Sequence, residues 1–163
     1  MRGSLTNPIP ADPCRRCGIC CHPAVIVGRL SIVIPGIRCR FLRDSPGGAT
    51  TCEVYERRFE AAPWCLTLPA ARESHALAAD CPSHTLGEDV AGKHRVRPGA
   101  LASARPAIAR ALLEAGVPAW VDVEGVLAFL TSAGLPVSRT IVIREGILGF
   151  VVEPGGLLSR NRD

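Results

Sequence analysis

Lysine is nearly absent from this chain: Lys93 is the single one among nineteen basic residues, so arginine carries the formal net charge of +4. Heavy use of Ala, Arg, Gly and Pro is what GC-rich coding produces, which makes the arginine excess a weak sign of nucleic-acid or phosphate binding. Aromatic residues are scarce as well. The seven present, Phe41, Tyr55, Phe59, Trp64, Trp120, Phe129 and Phe150, do not interleave with a basic stripe as a base-stacking surface would require. A nucleic-acid partner is therefore disfavoured.

Long apolar runs are missing too. No stretch reaches the roughly 18 consecutive apolar residues of a membrane span, and the best candidate, Ala24 to Ile34, is broken by Arg29. Met1 to Asp12 lacks the apolar centre of a signal peptide. The expectation is a cytoplasmic protein with no membrane partner. The chain also has no P-loop, no G-x-G-x-x-G, no G-x-S-x-G and no H-E-x-x-H, so no reaction class is assigned. Internal repeats and heptads are absent. With 163 residues, 47% of them hydrophobic and 21% charged, the chain can bury enough apolar area to offset its ordering entropy. It should fold as one body with at most a small appendage.

Cysteine is abundant but unevenly placed: all eight lie between Cys14 and Cys81, and none follows. That is above ordinary usage yet below the roughly 8 to 10% of short disulfide scaffolds. A reducing cytosol keeps thiols available to metals, whereas secretion would favour disulfides. Metal binding is the better reading. Thiol catalysis through C-x2-C fits less well, because the βαβ setting of a thioredoxin is missing.

This asymmetry divides the chain into a cysteine-cluster metal-binding region, 1–94, and a small α+β C-terminal unit, 95–163, packed on it. The first part is punctuated by proline and lacks long helical periodicity, so its order is expected to come from metal. Val25, Val27, Leu30, Ile32 and Ile34, bounded by Pro23 and Pro35, predict one or two short strands. Asp44 to Thr51 predicts a turn or flexible loop, and Ala70 to Ala79 a short helix. In the second part, Ile108, Leu112 and Leu113 form an apolar stripe within a helix over Pro98 to Gly116, and a second helix is expected from Val121 to Ser132. Thr140 to Ile143 and Leu148 to Val152, separated by Arg144 to Ile147 with Gly146, carry a hairpin signature. Arg160 to Asp163 reads as a frayed terminus. The fold class is α+β: an irregular, metal-stapled N-terminal half with short strands and a C-terminal helix-helix-hairpin unit.

Residues 14 to 22 read Cys-Arg-Arg-Cys-Gly-Ile-Cys-Cys-His. Each C-x2-C step bends a turn that can aim two thiolates at one ion, and Gly18 supplies the backbone freedom for it. Adjacent side chains generally point apart, so Cys20 and Cys21 are expected to serve different ions or different corners of one cluster. With Cys39, Cys52, Cys65 and Cys81 the count suits two four-cysteine zinc sites, or one four-iron cluster with four spare thiols. Grouped thiolates repel unless a cation joins them. Arg15, Arg16, Arg38 and Arg40 are candidates to screen surplus charge. C-x2-C-x2-C and Cys81-Pro82 resemble parts of a bacterial ferredoxin run, although its nearby fourth cysteine is absent. Of the four histidines, His22 and His84 are best placed as additional ligands, beside Cys21 and Cys81; His75 and His94 are less so.

The motif resembles the zinc- or iron-chelating family named for CxxCxxCC (YkgJ-like cysteine-cluster proteins). That family opens with C-x2-C-G-x-C-C, then has a cysteine followed by an aromatic residue and Leu, then C-x-I-Y-x-x-R-P-x-x-C-R. The matching residues are Cys14, Cys17, Gly18, Cys20 and Cys21; Cys39, Phe41 and Leu42; and Cys52, Val54, Tyr55 and Arg58. Phe59 stands where the family has Pro, Cys65 comes three residues late, and Leu66 replaces the Arg after it. The resemblance implies chelation of zinc or iron and places Tyr55 and Arg58 in supporting roles beside the cluster, where Arg58 could donate to a thiolate. It implies no reaction. The expected function is a metal-binding module, structural or accessory, with zinc favoured over iron or an iron-sulfur cluster. Its alternatives are an iron-sulfur redox protein or electron carrier and, third, a nucleic-acid-binding zinc protein. A protein partner stays open.

Overall fold

A computed structural model describes residues 16–83 and 92–154. The expectations placed on Met1 to Asp12, Cys14, Arg15, His84 and Arg160 to Asp163 fall outside the described residues.

The apolar run after the cysteine motif folds back on itself. β1 (Ala24–Val27) and β2 (Leu30–Val33) pair antiparallel, with Ala24 opposite Val33 and Val27 opposite Leu30. Gly28, at φ 62°, occupies the two-residue turn where a side chain would be strained. The Asp44 to Thr51 segment, expected as a turn or loop, is a hairpin: β3 (Leu42–Asp44) pairs with β4 (Thr50–Cys52) around a 3-10 turn at Pro46–Gly48. One-turn pieces follow at Tyr55–Arg57 and α1 (Arg58–Ala61).

The helix expected over Ala70 to Ala79 is shorter and earlier, α2 (Leu68–Glu73). Local chemistry explains the shift. The Thr67 hydroxyl accepts from the Ala70 N–H and Pro69 fits the first turn, a start signal placed before the apolar pattern begins. The Ser74 hydroxyl donates to the Ala70 carbonyl, and His75 turns left-handed at φ 55°, which stops the helix. The chain then runs to β5 (Lys93–His94), which lies parallel to β2 and completes a sheet in the order β1-β2-β5.

The second part matches its pattern more closely. α3 (Leu101–Ala115) follows a 3-10 turn at Pro98–Ala100 and ends at Gly116. That glycine sits at φ 70°, and a Cβ there would lie 2.5 Å from the Leu148 carbonyl oxygen. β6 (Val117–Pro118), α4 (Val123–Ser132), β7 (Val137–Arg144) and β8 (Ile147–Val152) complete the fold, with a sheet in the order β6-β8-β7. The α+β class and the helix-helix-hairpin order stand.

One apolar core serves both parts of the chain. Val25, Ile34 and Ile37 are buried together with Ile108, Leu112, Val117, Val126, Leu130 and Phe150. A smaller cluster of Ile19, Val33 and Ala78 lies under the cysteine motif. Order in the N-terminal part therefore does not rest on metal alone, as its sequence suggested: Val25 of β1, with Ile34 and Ile37 after β2, contributes to a core built mainly by α3 and α4. Burying each such side chain contributes roughly 1.5 to 3 kcal/mol. Backbone stitches add to this, from Arg40 N–H to Trp120 O (3.3 Å) and from Asp122 N–H to Arg38 O (2.8 Å). Among the described residues, no helix is long and apolar enough to cross a membrane.

Candidate functional site

The cysteine motif is shaped by a glycine in a left-handed, crowded position. Gly18 lies at φ 71°, and a Cβ there would come within 2.8 Å of Thr50 Oγ1 and 3.0 Å of Leu42 Cδ2. The motif thus presses directly on the β3–β4 hairpin. Thr50 fastens it there, because its N–H and its hydroxyl both donate to the Arg16 carbonyl, at 2.9 and 2.8 Å. A 3-10 turn, Ile19–Cys21, follows, with Ile19 buried as its anchor.

This turn sets how the paired cysteines lie. Side chains of successive residues in a 3-10 turn are separated by about 120° rather than the near-opposition of a strand. Cys20 Sγ and Cys21 Sγ stand 3.9 Å apart. The Cys39 N–H donates to the Cys21 carbonyl at 2.7 Å, which brings a third cysteine alongside, itself buried. Cys52 closes β4, and Cys65 follows α1, its N–H bonded to Ala62 O.

The electrostatics show which thiols sense one another. Cys20 is lowered to about 6, by the hydrogen bond from Cys21 and by Lys93, against the opposing effect of burial. Cys21 is pushed far up by that same hydrogen bond, by burial, and by negative charge on Cys20, Cys39 and Cys65. Cys65 is raised by burial first, then by Cys39 and Cys52, with Arg58 acting in the opposite direction. Cys20, Cys21, Cys39, Cys52 and Cys65 thus form one electrostatic neighbourhood assembled from separate segments. Ionising them together is opposed until a cation joins them.

Cys17 and Cys81 are half-buried, each packed against the apolar cluster of Ile19, Val33 and Ala78. His22 stands near it: with Cys17 it lines a cavity of about 310 Å³. His22 Nδ1 lies 2.9 Å from the Gly18 carbonyl oxygen, and burial lowers the ring's pKa. A neutral ring donating through Nδ1 keeps its Nε2 lone pair for a ligand. The seven described cysteines are all free thiols. Among the described residues, no three His, Cys, Asp or Glu side chains are drawn together closely enough to hold an ion as they stand.

The supporting residues differ from expectation in detail. Arg58 does not donate to a thiolate; its Nη1 donates to the Tyr55 carbonyl at 2.9 Å, and its guanidinium lies 4.3 Å from the Tyr55 ring centre and 4.5 Å from that of Phe59. Its charge nonetheless reaches Cys65. Arg38 pairs with Asp44 at 2.8 Å, and Arg40 lies over the Trp64 ring, which is stacked on Phe41.

The cation at the motif is instead Lys93. Its ammonium donates to the carbonyls of His22 (2.6 Å), Cys20 (3.4 Å) and Ile19 (3.5 Å), while Arg95 donates to that of Cys17 at 3.0 Å. Sequence reasoning missed both residues, although a signal was present: one lysine survives in a chain that otherwise uses arginine, and Arg95 lies two residues on, as a strand's same-face neighbour would.

No family model matches the chain, and no curated protein or solved structure matches it either. The geometry of the thiols therefore carries the functional reading.

Proposed function

We propose that this chain is a metal-binding cysteine-cluster protein, holding zinc or iron on thiolates drawn from Cys20, Cys21, Cys39, Cys52 and Cys65 and acting as a structural or accessory module. The observation that supports this most directly is the approach of Cys20 Sγ and Cys21 Sγ to 3.9 Å with Cys39 tied by its N–H to the Cys21 carbonyl, while Cys52 and Cys65, up to 45 residues away in sequence, lie close enough to be felt electrostatically. Such an arrangement is unfavourable as bare thiolates and favourable around a thiophilic cation. Cys17 and His22, which line one cavity, offer two further donors, and Cys81 packs against the same apolar cluster as Cys17. The resemblance of the motif to the CxxCxxCC chelating family points the same way. Free thiols of this number suit a reducing, cytoplasmic setting.

Zinc would act as a tetrahedral staple that adds to folding stability without redox chemistry. An iron-sulfur cluster on the same thiolates would make the chain an electron carrier. The test is metal content and visible absorption of protein purified without oxygen or added metal. Bound zinc without colour supports the structural module, and iron with acid-labile sulfide and brown absorbance supports the carrier. Protein that holds neither, even after anaerobic reconstitution with each, rules out the proposal. Serine at Cys39 and Cys52 together should remove most of the metal held by these thiols.

A further inference from the structure

Lys93 is fastened from two sides before its side chain makes any contact. Its N–H donates to Leu77 O at 2.8 Å and its carbonyl accepts from the Ala79 N–H at 3.0 Å, while β5 pairs in parallel with β2 at Ser31. Gly92 makes this approach feasible, since a Cβ there would lie 2.7 Å from Ala79 Cα. From this fixed base the side chain crosses to a loop more than seventy residues earlier in sequence. There it meets three carbonyl oxygens, those of Ile19, Cys20 and His22.

An ammonium has three donors, and the end of this 3-10 turn offers carbonyl oxygens with lone pairs to spare, the Ile19 oxygen accepting from the His22 N–H as well. The two needs match. Arginine, abundant elsewhere in this chain, would present a flat fork rather than a compact point charge to three converging oxygens. This accounts for a lone lysine at this position. Arg95, exposed and on the same side of the chain as Lys93, adds a fourth carbonyl of the motif, that of Cys17. Two cations from one segment thus hold the backbone of Cys17, Ile19, Cys20 and His22.

We propose that Lys93, assisted by Arg95, is the positioning residue of the thiol centre, holding the cysteine turn in its ligating shape before the ion arrives. This rests on the metal-binding reading above and deepens it: the turn is preorganised by protein cations, not shaped by the metal. Preorganisation of this kind appears in affinity, because the ion then need not order its own ligands. Outer-shell groups that orient ligands typically account for 10- to 100-fold in metal affinity.

The experiment is a zinc titration of full-length protein, wild type, K93M, K93R and R95Q, against a chromophoric chelator, with metal-free thermal melts run alongside. Met preserves the length and bulk of the lysine stem, so K93M should keep its fold with a lowered melt, since three carbonyls lose a donor, and bind zinc at least tenfold more weakly. K93R should recover part of that loss. R95Q, which alters an exposed side chain, should weaken binding severalfold with an unchanged melt, and it decides the matter should K93M not fold. Cobalt spectra at saturation should show K93M with altered thiolate charge-transfer bands. If wild type binds zinc and both K93M and R95Q bind within twofold of it, the clasp is overturned while the metal reading survives. If wild type binds neither zinc nor iron, both fall.

Discussion

The two parts of this chain are held by different physics. The C-terminal part is built from a 15-residue and a 10-residue helix whose inner faces are fully buried at Ile108, Leu112, Val126 and Leu130. Among its described residues the cysteine part has strands of two to four residues and helices of at most six, and its shape depends on individual contacts: a glycine pressed on Thr50, an ammonium among carbonyls, a sulfur pair. Area-driven order tolerates small changes spread over many neighbours, whereas contact-driven order concentrates its sensitivity in a few atoms. Yet Ile34 and Ile37, flanking the thiols, are as completely buried as Leu130. The cysteine part is thus anchored in the core that the helices build.

The largest effects should come from that shared core. Leu130→Ala is expected to cost about 2 to 5 kcal/mol, as buried leucine truncations do. Ile37→Ala should cost a similar amount, although it lies in the cysteine part. Urea unfolding followed separately by Trp fluorescence and by thiol reactivity checks both. Coincident transitions in each variant mean one cooperative unit; an Ile37→Ala protein that exposes its thiols early while its helices stay folded would show two.

A smaller effect, confined to the cysteine part, is expected at its glycines. Gly18→Ala meets both a left-handed backbone and a 2.8 Å approach to Thr50 Oγ1, and should cost about 1 to 3 kcal/mol. Gly28→Ala faces a similar φ of 62° but open space, and should cost about 1 kcal/mol. Thermal melts of the metal-free proteins measure the difference. A Gly18→Ala protein as stable as Gly28→Ala would mean that the hairpin yields, and the motif is less tightly fixed than its contacts suggest.

The same contrast governs what could be read in advance. Helical periodicity of Ile108, Leu112 and Leu113 and the Gly146 turn signal are repeated, local patterns, and they gave the C-terminal elements within a few residues. α2 was misplaced because the deciding signals were single residues, Thr67, Pro69 and His75, rather than a period. The β3–β4 hairpin has strands of only three residues, too short for an alternating pattern to separate them from a loop. The cysteines could be named as a group from their spacing, but not sorted. Which thiol faces which depends on Cys39 N–H reaching Cys21 O and on Thr50 holding Arg16, long-range pairings with no period to follow. Lys93 was legible only as an oddity of composition.

Thiol chemistry offers a third prediction, in metal-free protein. Cys20 sits near 6 because Cys21 donates to its thiolate, and Cys21 is correspondingly raised. Between pH 6 and 9 the folded pair holds one proton where the unfolded chain holds two, so this pair makes stability rise with pH. Above about 9, where unfolded thiols ionise, the folded pair still retains its proton and the contribution declines. Cys20 should therefore react with iodoacetamide with a midpoint near pH 6, well before Cys21 and Cys65. Mass spectrometry of the modified sites tests this order. Equal rates at Cys20 and Cys65 near pH 7 would show that the sulfur pair does not share a proton.

The smallest expected change in stability lies at the most exposed large hydrophobic side chain of the described C-terminal part. β7 is an eight-residue strand at the outer end of its sheet, with Val142 71% exposed and Ile141 and Ile143 also exposed. Exposed apolar edge strands favour association with further chains, and a charged residue at such an edge opposes it. Val142→Lys removes no buried contact, so it should shift the unfolding midpoint by no more than about 0.5 kcal/mol equivalent. Its effect should instead appear in solution behaviour, as less light scattering at high concentration and through the thermal transition. If the same variant lost more than about 1 kcal/mol, Val142 would be packed by some other part of the chain, and the helical part would depend on a single contact much as the cysteine part does.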